Sequence, residues 1–92
     1  MDIQQHDDGK KGRFFVQVDQ QDVAEMTYVW LADEKIIIDH TAVDTSLKGQ
    51  GVGRQMVERA VAFAREKGIK IIPLCPFAKS VFDKTEAFHD VL

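Results

Sequence analysis

Three glycines at alternate positions, in Lys48-Gly49-Gln50-Gly51-Val52-Gly53-Arg54, are the part of this 92-residue chain most clearly able to do chemistry. Glycine accepts a positive φ and lets a ligand approach the backbone without meeting a Cβ. Between a strand and a helix, such a loop aims free backbone N–H groups and the positive end of a helix dipole at one spot, which makes a cradle for phosphate. Lys48 and Arg54 flank the loop with cations that can reach phosphate oxygens. The loop is not a nucleotide P-loop, because Arg54-Gln55 stand where that motif needs Lys-Ser/Thr. Nor is it a dinucleotide fingerprint, because Gly49-x-Gly51-x-Gly53 lacks the G-x-G-x-x-G spacing. The plainer alternative is a turn and a helix N-terminus with no ligand.

Cys75 is the single cysteine, and Pro76 directly follows it. A thiol at the start of a helix has its thiolate stabilised, the usual route to a reactive cysteine. Equally, a lone cysteine at a strand end serves as a small buried hydrophobe. His40 interrupts an apolar strand beside Asp39, and imidazole, with an ordinary pKa of about 6.5, suits proton removal at neutral pH. Strict alternation sends Asp39 and His40 to opposite faces, so they do not read as a pair. Three scattered histidines and one cysteine make no metal-ligand pattern, so no metal is expected.

The elements that must position these groups follow from periodicity. Residues 1–12 are polar and charged and read as a loose N-terminal segment of a single domain spanning 1–92. Arg13 to Asp19 alternates Phe14, Val16 and Val18 on one face, a half-buried strand, and Asp19 to Asp22 is its turn. Val23 to Leu31 returns as the second arm of a hairpin with Ala24, Met26, Tyr28 and Trp30 on one face. Lys35 to Val43 is a third strand whose Ile36-Ile37-Ile38 run implies burial on both faces. After the glycines, Val52, Met56, Val57, Ala60, Val61 and Ala64 form one helical stripe, stopped by Gly68. Ile69 to Cys75 is a fourth strand, and its place after a strand and a helix makes a right-handed crossover with the two strands parallel. Pro76 to Lys84 is a short C-terminal helix with proline in its first turn. The class is therefore mixed α/β (α+β), three antiparallel strands followed by a β-α-β unit. The glycine loop, Cys75 and the second helix meet at the carboxyl edge of the parallel pair, where open α/β sheets bind ligands.

Composition narrows the partners. A net charge of −3 supplies no basic face for nucleic acid. No apolar run approaches the roughly 20 residues needed to span a bilayer. One cysteine and an N-terminus without a signal-peptide pattern point to a cytoplasmic setting.

With Thr41-x-Val43 leading into Lys48-Gly49-Gln50-Gly51-Val52-Gly53, the order of elements resembles the GNAT superfamily of acetyl-coenzyme A-dependent N-acetyltransferases. His40-Thr41-x-Val43 and Pro73-Leu74-Cys75-Pro76-Phe77 are similar to a subfamily of very small, single-domain members. The superfamily loop reads Gln/Arg-x-x-Gly-x-Gly/Ala; Gly51 and Gly53 match it, and Lys48 stands where Gln or Arg is usual. The resemblance implies that residues 48–54 (Lys48, Gly49, Gln50, Gly51, Val52, Gly53, Arg54) hold the coenzyme A pyrophosphate and that Cys75 and His40 are the active-site residues. It implies transfer of an acetyl group from acetyl-coenzyme A to an amine, with His40 as general base and Cys75 as acid or transient acyl carrier. The cap that larger relatives place over their acceptor is absent, which leaves a non-catalytic acyl-coenzyme A-binding module as the other expectation.

Overall fold

The computed structural model describes residues 2–92 as one five-stranded sheet whose strand order is the chain order. Strands β1 (Gln4–Asp7), β2 (Lys11–Val18), β3 (Gln21–Leu31) and β4 (Lys35–Val43) are antiparallel neighbours. Helix α1 (Val52–Lys67) then carries the chain over to β5 (Lys70–Pro73), which pairs parallel to β4 from Lys35↔Lys70 to Ile38↔Pro73. Helix α2 (Pro76–Lys84) and a 3₁₀ segment, Glu86–Val91, complete the chain. The expected α+β architecture with its parallel crossover is the one observed.

One face of the sheet is covered. The stripe expected of α1 is the stripe it buries: Val52, Met56, Val57, Ala60, Val61 and Ala64. They pack on Phe14, Val16, Ala24, Met26, Tyr28, Ile36, Ile38 and Ile71, with Ala78, Val81 and Phe82 of α2 alongside. Gly68 ends α1 at φ +68°, while the N–H of Ile69 donates to Ala64 O at 3.0 Å, so the last carbonyls are satisfied as in a Schellman motif. The other face carries no helix. Burial of β4 on both faces is therefore not what the chain adopts: Ile36 and Ile38 are fully buried, and Ile37 between them is only half-buried.

Two further features depart from sequence expectation. The N-terminal segment is not loose, because Gln4–Asp7 forms the edge strand β1 against β2. It is held by side chains, not by apolar alternation. Asp7 Oδ2 accepts from the Tyr28 hydroxyl at 2.6 Å and from Trp30 Nε1 at 3.0 Å, and Gln5 Nε2 donates to the Tyr28 hydroxyl at 2.9 Å. Asp8 Oδ1 accepts the N–H groups of Lys10 and Lys11 at 2.9 and 2.8 Å and so closes the turn into β2. Second, the β3–β4 register slips between Thr27↔His40 and Tyr28↔Ile38, leaving Asp39 as the extra residue of a β-bulge.

Candidate active site

The glycine loop leads from a 3₁₀ turn into α1, and the N–H groups of Lys48 and Gln50 are already taken by Thr45 O and Leu47 O at 3.1 and 3.2 Å. Asp44 caps the preceding 3₁₀ turn, Thr45–Leu47, by accepting the Ser46 N–H at 2.8 Å. Gly49 and Gly51 then take φ values of +83° and +69°, and a Cβ at either position would meet nothing within 4 Å. Gly51 is the N-cap of α1 and supplies no capping side chain, and no acidic residue lies in the first turn. The first intrahelical bond runs from the Gln55 N–H to Gly51 O at 3.0 Å. The amides of Val52, Gly53 and Arg54 therefore lack intrahelical acceptors, and no acidic side chain in the first turn offsets the positive end of α1.

A cavity of about 390 Å³ opens over this loop and brings together Lys48, Gly49, Gly51, Val52, Gly53 and Arg54, with Val43 and Leu47 on one side and Phe77, Ser80, Val81 and Lys84 of α2 on the other. Gln50 does not line it. Gly53 is buried under the Phe77 ring, with Phe77 Cζ only 2.5 Å from where a Cβ would lie, so its lack of a side chain serves helix contact. Arg54 Nη1 donates to Thr85 Oγ1 at 2.9 Å and its guanidinium lies 5.5 Å over the Phe88 ring, which draws that charge toward the C-terminal segment. Lys84 adds a cation to the cavity that sequence reasoning missed. Phe77, Ser80, Val81 and Lys84 recur at i, i+3, i+4 and i+7, which marks one face of α2, but nothing local says that this face meets the start of α1.

Cys75 is the N-cap of α2 and 5% exposed. Its thiol donates to Thr41 Oγ1 at 3.3 Å, and the N–H groups of Leu74 and Cys75 both donate to Ile38 O, at 3.0 and 2.9 Å. These two bonds tie the end of β5 to the residue preceding the bulge. Beyond Ile38↔Pro73 the strands part, β4 running on to Val43 while the chain after β5 turns into α2.

The bulge decides where His40 lies. Ile38 is opposite Tyr28 and Thr41 is opposite Met26, both on the helix-covered face. The two residues between them, Asp39 and His40, are both exposed and share the helix-free face with Thr27, whose hydroxyl donates to Asp39 Oδ1 at 2.7 Å. Alternation expects Asp39 and His40 on opposite faces; the inserted residue puts them on the same one. It also separates His40 from Cys75, one on each side of the sheet beside the gap between β4 and β5. Among the described residues no three His, Cys, Asp or Glu side chains group as a metal site, and no helix is long and apolar enough to cross a membrane.

A family model described as GCN5-related N-acetyl-transferase matches residues 13–91. The chain belongs to this family. A GCN5-like protein from Staphylococcus aureus, solved in solution by NMR, is 37% identical, with a TM-score of 0.76 over 98% of this chain and 85% of that one. More distant folds agree. A ribosomal-protein-alanine N-acetyltransferase from Brucella melitensis biovar Abortus 2308 is 17% identical, with a TM-score of 0.66 over 84% of this chain and 62% of that one. A GNAT family acetyltransferase from Elizabethkingia anophelis, determined with acetyl-coenzyme A bound, is 15% identical, with a TM-score of 0.61 over 76% and 61% of the two chains. No curated protein matches the sequence. Acetyl transfer is the chemistry of the GCN5-related family, and acetyl-coenzyme A is the donor its members use.

Proposed function

We propose that the protein transfers an acetyl group from acetyl-coenzyme A to an amine. The observation that carries this reading is the uncapped start of α1: left-handed Gly49 and Gly51 with open space where a Cβ would lie, and three amides free to meet an anion. These features fit a pyrophosphate. Lys48 and Lys84 line the same cavity and would pair with phosphate oxygens, and Val43 and Phe77 offer apolar wall toward the gap between β4 and β5.

At that gap His40 faces one side and Cys75 the other. An amine arriving from the helix-free face gives a proton to the His40 imidazole as its nitrogen bonds to the thioester carbon. When the C–S bond breaks, the thiolate leaves toward the helix-covered face, where the Cys75 thiol returns a proton and regains one from solvent. Separation of the two groups by the sheet supports this direct transfer over an acyl-Cys75 intermediate, which His40 would have to serve from the far side.

A second reading, an acyl-coenzyme A-binding module without catalysis, draws support from the face beside His40, which no helix covers. Calorimetric titration of acetyl-coenzyme A, followed by an assay for amine-dependent thiol release, separates the readings. Gly51→Asp sets a carboxylate against the pyrophosphate. Micromolar affinity, about −8 kcal/mol, lost in folded Gly51→Asp supports the cradle. A folded wild type that binds nothing overturns both readings, and binding with no release for any amine leaves the module.

A further inference from the structure

We infer that Thr41 is a positioning residue for the Cys75 thiol: its hydroxyl holds the sulfur in place while the thiol is protonated, and hands it a new proton once the old one has gone to the departing coenzyme. This inference rests on the acetyl-transfer reading and adds a residue to its proton path. The inward row of β4 is Ile36, Ile38, Thr41 and Val43, set opposite Trp30, Tyr28, Met26 and Ala24. Thr41 is the one polar side chain in that row. Valine has nearly the same shape and strand preference and carries no hydroxyl, so packing alone gives no reason for threonine here. A hydroxyl on the covered face costs free energy unless it is hydrogen-bonded. The partner it has is the Cys75 thiol, which donates to Thr41 Oγ1 at 3.3 Å.

Cys75 is held to β4 at two points, its N–H on Ile38 O at 2.9 Å and its thiol on Thr41. Although it is the N-cap of α2, its side chain makes no bond to that helix. The sulfur is turned from the amides a capping group would take and reaches across the parting of β4 and β5 instead. It is nearly closed to solvent, whereas Thr41 is half-buried, and the Thr41 O–H has no acceptor among the described residues. A hydroxyl both accepts and donates. In the resting state it accepts the S–H. When the coenzyme thiolate takes that proton, the S–H bond breaks, the sulfur is left as a buried anion, and the hydroxyl turns to donate to it. The Cys75 thiolate then takes the hydroxyl proton as Oγ1 takes one from water, and the resulting hydroxide recovers a proton from the His40 imidazolium, which holds the one lost by the amine. One proton enters on the covered face for each that leaves on the open face, so amide and coenzyme thiol are formed and all three side chains are restored.

The test uses the full chain and two readouts. Cys75 is the single cysteine, so its S–H stretch is one Raman band. Thr41→Val removes the acceptor and should move that band to higher wavenumber, while Thr41→Ser leaves it near the wild-type position. Turnover is read as coenzyme release from acetyl-coenzyme A with the fastest of butylamine, spermidine and Nα-acetyllysine. Thr41→Val is expected to lower kcat about tenfold, the scale of one hydrogen bond to a charged group. The KM for acetyl-coenzyme A should be unchanged, because Thr41 does not line the cavity over the glycine loop. Thr41→Ser, which keeps the hydroxyl, should recover most of the loss. Since Thr41 acts through the thiol, adding Thr41→Val to Cys75→Ala should cost nothing further. An S–H band that does not move, full kcat in Thr41→Val, or losses that add in the double variant each overturn the inference and leave acetyl transfer standing. A wild type that binds acetyl-coenzyme A but releases no coenzyme with any of the three amines ends the transfer reading and this inference together.

Discussion

At the scale of single residues, the site turns on one inserted amino acid. Asp39 changes the parity of β4, so Thr41 faces inward to touch Cys75 while His40 faces outward. Which residues carry reactive groups was legible from their types alone. Their mutual placement was not, because a bulge has no signature in a strand of alternating and β-branched residues, and a slip of one position sends every later side chain to the other face. If Cys75 acts as the proton donor, Cys75→Ala should lower turnover by about a hundredfold, the scale of losing one positioned acid. Coenzyme affinity measured by titration should change less than about twofold, since Cys75 does not line the cavity over the glycine loop, where the coenzyme charge is proposed to bind. Unchanged turnover would remove Cys75 from the mechanism.

At the scale of elements, strand β3 and helix α1 follow from period-two and helical patterns that burial bears out, whereas in β2 Val18 is exposed beyond a register slip at Val16/Gln17 and in β4 only Ile36 and Ile38 of the isoleucine run are fully buried. The edge strand β1 was not legible. Its residues are polar, and they join the sheet through Tyr28 and Trp30, more than 20 positions away in sequence. The contact between α1 and α2 was equally hidden, since it depends on Gly53 lacking a side chain under Phe77. Gly53→Ala would place a Cβ within 2.5 Å of that ring. Phe77 is 41% exposed and can swing outward, so thermal unfolding should register a loss of only about 1 kcal/mol. The larger effect is expected in coenzyme titration, because the displaced ring lines the cavity. A variant that is destabilised yet binds normally would exclude Phe77 from the cofactor wall.

For the whole molecule, pH dependence follows from how the sheet edges are tied. Burial raises the Asp7 pKa, but hydrogen bonds from Tyr28, the Gly9 amide and Trp30 outweigh it and hold the carboxyl below its ordinary value. Asp22 is lowered by Gln17 and then Arg13, and Asp90 chiefly by Arg65. Each carboxyl binds its proton more weakly in the folded state than in the unfolded chain, where the value is about 3.9. Their stabilisation is therefore complete above that value and is lost as pH falls through the lower, folded ones. Urea melts should show stability nearly level from about pH 6 to 8 and falling below about pH 4, and Asp7→Asn should flatten part of that acid limb. An identical acid limb in the variant would show that Asp7 does not couple β1 to the sheet. Tyr28 has the opposite sign: burial and then Asp7 raise its pKa, so its contribution is intact below about pH 10 and is lost only above.

The agreement of strand order with chain order also bears on how the molecule is made. Each of β2 to β4 pairs with the strand just before it, so four strands assemble as three successive hairpins whose loops are short and cheap to close. Only β5 must wait for an intervening helix of 16 residues. A chain leaving the ribosome N-terminus first can zip its sheet strand by strand, and the cavity over the glycine loop, bounded by Val43 of β4 on one side and α2 on the other, is the last part to close.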